Sequence, residues 1–540
     1  EHTPSLANAV TRLTADVQQL CPGLPNAQWV ALRLLDGDER IQDAIRKGQL
    51  GELARPAASA GGNAPAVPDS RLVAHVLDHA SRLRWQVGPD YHQSLMEAIY
   101  TEAARLADRA VSRRAGDRGF DLDRTIDRLV TSPVWGVPMM LALLTMVFWL
   151  TIAGANVPSA LLASLLVDTM HPILKSGAAA IAMPWWLSGL LIDGMYLATA
   201  WVISVMLPPM AIFFPVFTLL EDFGYLPRVA FNLDRTFRRA GAHGKQALTM
   251  AMGWGCNAAG IVSSRIIESP RERLIAIITN NFALCNGRWP TQILVATLFI
   301  GGAVPAHWAG LISALSVVGV AVLGVGLTFA TSWLLSRTLL RGEVSAFSLE
   351  LPPYRPPRVW KTLYTSLIDR TLYVLWRAVV FALPAGAVIW LVVNIPFGDS
   401  SLAAALVAWL HPLGWVVGLT GIILLAYVVA IPANEIVVPT ILMLTALLTG
   451  AGGAGAGVMF ELDSASDTRA LLAAGGWTLL TAVCLMLFSL VHNPCSTTIY
   501  TIWKETRSVK WTTLSALLPL AMGFVLCFFL AQTWRLFTGS

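Results

Sequence analysis

The sequence predicts an all-α protein that crosses a membrane many times and carries a small helical bundle at its N-terminal end. Three observations predict it. Only 13% of the 540 residues are charged, about half the roughly 25% of a soluble domain. Hydrophobic residues make up 55% of the chain, and the mean hydropathy is +0.60. Several apolar runs exceed the ~20 residues that span a bilayer.

Residues 1–133 read as soluble and helical. The clearest helix is Asp90–Ala115, where Asp90 and Gln93 make a loose capping box and Gly116 follows the end. Leu95, Ile99, Leu106 and Ala110 share one of its faces. The Ala/Pro/Gly-rich stretch Gly51–Ser70 reads as a loop between two helical portions. Glu1–Leu20 has no continuous apolar core of the kind a cleavable signal needs, which places this bundle in the cytoplasm.

From Val134 the composition turns apolar, with spans read near 134–152, 193–220, 274–300, 308–336, 376–396, 415–431, 471–492 and 512–533. Two shorter pieces, 247–264 and 435–449, read as re-entrant or partial crossings, for a total of eight or nine. Irregular backbone at membrane depth must be buried in protein or line a cavity. The loops 221–247 and 337–377 are rich in Arg and Lys, whereas 153–192 holds only Lys175. The positive-inside rule therefore puts both basic loops on the same side as the bundle. The membrane part divides into halves at 134–336 and 376–540, joined by a cytoplasmic linker at 337–375. Each half has a broken segment with a thiol near Asn: Cys256-Asn257 in the first and Asn493-Pro494-Cys495 in the second. Transporters use repeats of this kind to build a central site.

Six scattered cysteines exclude a disulfide framework. Cys484 and Cys527 lie among Leu, Met and Phe and read as small core hydrophobes, and Cys21 sits in a soluble Cys-Pro turn. Cys256, Cys285 and Cys495 each stand beside Asn and a helix breaker. Thiolate is a soft ligand suited to late first-row cations, ferrous iron included, so these three are candidate metal ligands on a path. Glu435 follows Pro432 and precedes an apolar run, where an acid is costly unless it has a task. Asn257, Asn286 and Asn493 offer carbonyl oxygens or satisfy freed backbone groups, and His492, Glu221 and Asp222 are further path or gate candidates. Gly241-Ala242-His243-Gly244-Lys245-Gln246 imitates a phosphate loop but has too few residues between its glycines and no Ser/Thr after the lysine. No nucleotide site, metalloprotease motif or serine elbow is recognisable, which excludes those enzyme classes. The net charge of +5 bears on membrane orientation and gives no sign of nucleic acid as a partner.

The run Leu220-Glu221-Asp222-Phe223-Gly224-Tyr225-Leu226-Pro227-Arg228 resembles the ferrous iron transport protein B (FeoB) family. So do Gly253-Trp254-Gly255-Cys256-Asn257, Cys285-Asn286-Gly287-Arg288-Trp289-Pro290, Glu350-Leu351-Pro352-Pro353-Tyr354, Pro494-Cys495 and Lys504-Glu505-Thr506. Trp29 to Asp38 is similar to the helical domain that links the family's G domain to its membrane part. The resemblance implies two Gate-type membrane halves in a bacterial cytoplasmic (inner) membrane, and import of Fe(II) past Cys256, Cys285 and Cys495; Glu435, from its own position in the chain, joins them as a candidate metal ligand and acidic relay. It also implies control by GTP and Mg through a G domain that these residues do not contain, a small cytoplasmic accessory protein, and homo-oligomers. The family's usual Gly-Cys-Asn-Val-Pro-Ala is Gly-Cys-Asn-Ala-Ala-Gly at 255–260, and its Lys-Glu is Asn434-Glu435. Two readings compete: a Gate-type transporter of a nucleoside or another divalent metal, and a membrane redox or metal sensor.

Overall fold

The computed structural model describes residues 4–50, 70–87, scattered positions between 99 and 110, 122–132, 135–267, 269–340, 358–397, 400–450, 458–460, 462 and 464–538. The expected loop at 51–69, the start of the helix at Asp90, Glu268 and the motif at 350–354 lie outside them. Among the described residues the regular structure is helical apart from one tiny antiparallel pairing, Pro396–Phe397 with Ser400–Ser401. It forms two compact units, one of residues 1–121 with 344–350, the other of the rest.

In the first unit, helices Pro4–Leu20, Ala27–Asp36, Glu39–Arg46 and Ser70–Val87 close on a core of Leu13, Val17, Leu34, Leu35, Ile45 and Val76. Gly37 supplies the left-handed turn between the second and third helices, with φ of 85°. Asp38 caps the third helix by accepting the Arg40 and Ile41 N–H groups, and it also receives Arg33 at 2.5 Å. Burial raises the Asp38 pKa, but these N–H donors and the Arg33 guanidinium more than offset it and leave the carboxyl below its ordinary value. Ile99 and Leu106, expected on one apolar face, are both about half exposed.

Among the described residues of the second unit, six helices are long and apolar enough to cross a membrane: Pro138–Ala180, Trp185–Asp222, His307–Arg337, Val359–Asn394, Leu479–Thr506 and Val509–Thr538. A seventh crossing arises if the pair Leu402–Val416 and Gly421–Val429, bent by 111°, is one span. Six or seven thus replace the eight or nine expected, the first helix runs on through 153–180, which read as a loop, and two apolar runs take a different form. The run at 274–300 is no continuous span: helix Pro270–Thr279 stops, residues 283–288 are irregular, and a new helix starts at Trp289. Asn280, Asn281, Asn286 and Arg288 all fall in that gap. The run at 415–431 is instead one arm of the bent pair. Its turn needs Gly418, with φ of +73°, and Gly414, whose Cβ would lie 2.8 Å from the Thr420 carbonyl carbon.

Small residues let two long helices touch. A Cβ at Gly386 would fall 2.3 Å from the Gly194 carbonyl oxygen, so the backbones of 373–394 and 189–196 meet directly. The loop that imitates a phosphate site is a packed turn. Gly244 donates to Asp234 Oδ1, and Lys245 Nζ donates to the Ile266 carbonyl at 3.0 Å. His243 accepts the Lys245 N–H at 3.0 Å. Burial, with Lys245 and Arg238 nearby, pushes its ring pKa down to about 4.

Candidate functional site

Four interrupted helices meet inside the second unit. The first is Gln246–Gly255 and Asn257–Ser263, broken at Cys256. The second is Pro270–Thr279 and Trp289–Val295, broken around Cys285. The third is Gly421–Val429 and Val437–Thr449, broken around Ala433. The fourth is Leu479–Val491 and Ser496–Thr506, broken at 492–495. Every candidate thiol therefore lies at a break, where backbone groups are freed from the helical ladder.

The breaks repeat in the two parts of the chain. Cys256 is extended, with φ −152° and ψ 121°, and Asn257 starts the next helix. Ala433 is extended in the same way, with φ −151° and ψ 117°, and Asn434 starts the next turn. The residue after Cys285 donates its N–H to Gly255 O at 3.1 Å, and the residue after Cys495 donates to Ile431 O at 2.9 Å. Asn280 Nδ2 donates to the Asn257 carbonyl at 2.9 Å, while His492 Nε2 lies 3.2 Å from Asn434 Oδ1. Cys285 thus sits at a break equivalent to that of Cys495, and the dihedral angles match Cys256 with Ala433, although the accepting carbonyl stands one residue before Cys256 and two before Ala433. The pairing of Cys256-Asn257 with Asn493-Pro494-Cys495 expected from the sequence is replaced by this one. Cysteine spacing suggested the wrong register, because the second half has alanine where the first has its leading thiol.

The side chains fit these breaks closely. In the orientation that satisfies its neighbours, the Asn257 amide donates to Gly253 O at 2.9 Å and Ala283 O at 3.1 Å, tying the first break to the second. A Cβ at Gly253 or at Gly260 would stand 2.4 or 2.5 Å from Asn280 Oδ1, so both glycines make room for that amide. Cys285 is buried, whereas Cys256 and Cys495 are partly exposed. Cys495 Sγ pairs with Thr498 Oγ1 at 3.2 Å. Cys285 and Cys495 lie within electrostatic reach of Cys256 and of Glu435. Glu435 leans over the second break, where a Cβ on Gly287 would be 2.3 Å from its Oε1. Among the described residues, no three His, Cys, Asp or Glu side chains form a group able to hold a metal ion. The thiols are neighbours, each at its own break.

The other candidates divide. His492 is buried, donates from Nδ1 to the Ser489 carbonyl at 2.9 Å, and packs edge-on against Tyr427. With Nδ1 donating, a neutral ring offers Nε2 as an acceptor, so Asn434 meets it best through its amide nitrogen. Asn286 lines a narrow, mostly apolar cleft with Thr151, Phe213, Trp254 and Trp289. Asn493 makes only a long contact to the Pro494 carbonyl, at 3.4 Å. Glu221 and Asp222 end the helix Leu197–Asp222, where Arg370 and Thr362 engage them. Cys484 and Cys527 are fully buried in the apolar core, as their neighbours in the sequence predict.

Two family models match this chain: the Gate model described as nucleoside recognition, over residues 203–299, and the ferrous iron transport protein B C terminus, over residues 317–369. The chain is 30% identical over 426 residues to the Fe(2+) transporter FeoB of Staphylococcus aureus, covering 76% of this chain and 59% of that protein. These likenesses support an FeoB-family membrane portion in this chain. FeoB proteins of Synechocystis and Campylobacter jejuni are 26% and 24% identical to it, over 76% and 78% of the chain and 63% and 67% of their own lengths. The chain thus spans about three fifths of the first of these FeoB relatives. No solved structure matches it. The Gate match encloses the first two interrupted helices, and with them Cys256 and Cys285.

Sequence reasoning passed over two features of this site. Arg288, quoted only as part of a motif, is 1% exposed and spans two breaks. A cation in an apolar run was itself the available signal. The other is Glu505, which receives Arg265 through both carboxylate oxygens at 2.9 and 2.6 Å and Arg273 at 3.2 Å. It joins the end of the first interrupted helix to the end of the fourth.

Proposed function

We propose that this chain imports Fe(II) across a bacterial cytoplasmic membrane along a path that passes Cys256, Cys285 and Cys495. The observation that carries the reading is the placement of all three thiols at helix breaks, within electrostatic reach of one another, with Glu435 in reach of Cys285 and Cys495. A cation shedding water needs donors that are soft, freed from other work and not gathered into a trap, because a site that transports must also release. The names of the relatives, Fe(2+) transporter FeoB, agree with that cargo. In this reading the two sets of breaks belong to two Gate-type halves, the first unit faces the cytoplasm, and GTP acts through a domain outside these residues.

The description of the Gate model supports a second cargo, a nucleoside, which the Asn side chains at the breaks would recognise. Uptake by reconstituted vesicles under reducing conditions separates the two. Fe(II) should enter at a rate above that of protein-free vesicles, and labelled nucleosides should not. Nucleoside uptake without iron uptake overturns the reading, and uptake of neither leaves the sensor as the better account.

A further inference from the structure

We infer that Arg288 is a positioning residue that fastens the two equivalent breaks, at Cys285 and at Cys495, into one body. Its guanidinium donates to three backbone carbonyls: Asn281 O at 2.9 Å, Leu490 O at 2.9 Å and His492 O at 3.4 Å. The first belongs to the second interrupted helix, and the other two to the fourth. All three lie where a helix stops, so their oxygens lack the usual donor four residues on. One turn further along the same face, Gln292 donates to Met486 O at 2.8 Å and extends the clasp. Both side chains are fully buried.

The clasp has no equivalent in the other direction. The position three residues after Cys495, matching Arg288, is Thr498, whose hydroxyl stays with its own thiol at 3.2 Å. One guanidinium thus crosses from the first half to the second and fixes the spacing of two corresponding cysteines. A rigid planar fork holds carbonyls from two segments at a fixed spacing, while the three donors of an ammonium on a flexible stem fix that spacing far less well. Cys256 lies outside the clasp and reaches the second break through the Asn286 N–H on Gly255 O. The second and fourth breaks are therefore fastened through Arg288, while the first is held to the second by separate backbone and Asn amide bonds.

The inference rests on the thiol path for its consequence but is testable apart from it. The full chain in lipid nanodiscs is compared with Arg288→Met and Arg288→Lys by amide hydrogen exchange. Both variants should exchange faster at 281–288 and 488–495 together, with 246–263 unchanged. Exchange that rises in one break alone or in neither, or protection restored by lysine, overturns the assignment. In a variant whose only cysteines are Cys285 and Cys495, Cd(II) is then titrated by its sulfur charge-transfer band. Arg288→Met should weaken binding by about tenfold, as loss of a group that orients metal ligands does, and unchanged binding counts against the clasp. If Cd(II) fails to bind even with Arg288 present, the thiol path is wrong, and the exchange result still decides the role of Arg288.

Discussion

With serine at Cys256, Cys285 and Cys495 together, Fe(II) uptake by reconstituted vesicles is expected to fall to the rate of protein-free vesicles. Serine keeps the size and a hydroxyl, so the fold should survive: at position 495 the replacement can still bond Thr498. What goes is the polarisable sulfur that lets a dehydrating cation trade water for a protein ligand. Even groups that only orient a ligand are worth about 10–100-fold in metal affinity, so removing all three thiols leaves little to carry the ion. Cys21→Ser supplies the control, because that residue lies in the first unit and its loss should leave uptake unchanged. Single replacements should rank by burial and position, with Cys285, the buried member of the three, the most damaging.

Glu435→Gln carries the second large effect. The carboxylate is within electrostatic reach of both Cys285 and Cys495. An acid at a break attracts a divalent ion and lowers the free energy of its contact. Its amide should raise the half-saturating Fe(II) concentration by about tenfold, equivalent to ~1.4 kcal/mol, with a smaller change in maximal rate. Gly287→Ala offers an independent route to the same result, since the new Cβ would lie 2.3 Å from Glu435 Oε1 and push the carboxylate aside. The double variant should be little worse than either single one, because both remove the same contact. Additive losses in uptake assays would show that Gly287 and Glu435 act separately.

The apolar runs made the membrane part legible, because hydrocarbon leaves a helix few alternatives. The breaks were harder to read. At 274–300 mean apolarity stays high across the gap, and only the cluster Asn280, Asn281, Asn286 and Arg288 marks it. Those side chains were needed to satisfy backbone groups that the interruption sets free, so their density was the signal. The bent pair hid for a different reason. Its turn depends on Gly414 and Gly418, residues that membrane helices also carry without bending.

The placement of the three thiols at helix breaks was legible, because each stands close to a helix breaker in the sequence. Their correspondence was not. Matching cysteine to cysteine fails where one member of a repeat has changed, and Ala433 occupies the backbone position of Cys256. Dihedral angles and the two amide bonds to Gly255 and Ile431 reveal the register, and neither leaves a trace in composition. His492 illustrates the same limit. As a lone histidine it suggested a ligand or an interfacial residue, whereas both its ring nitrogens face hydrogen-bonding partners within the protein.

Anomalous scattering at the iron edge, from crystals of the full chain grown with Fe(II) under reducing conditions, tests the thiol path most directly. The account predicts a peak within coordination distance of at least one of Cys256, Cys285 and Cys495, on the side of the breaks toward Glu435. A peak held only by oxygen and nitrogen ligands away from all three sulfurs, for instance at His171 and Asp193, would contradict it.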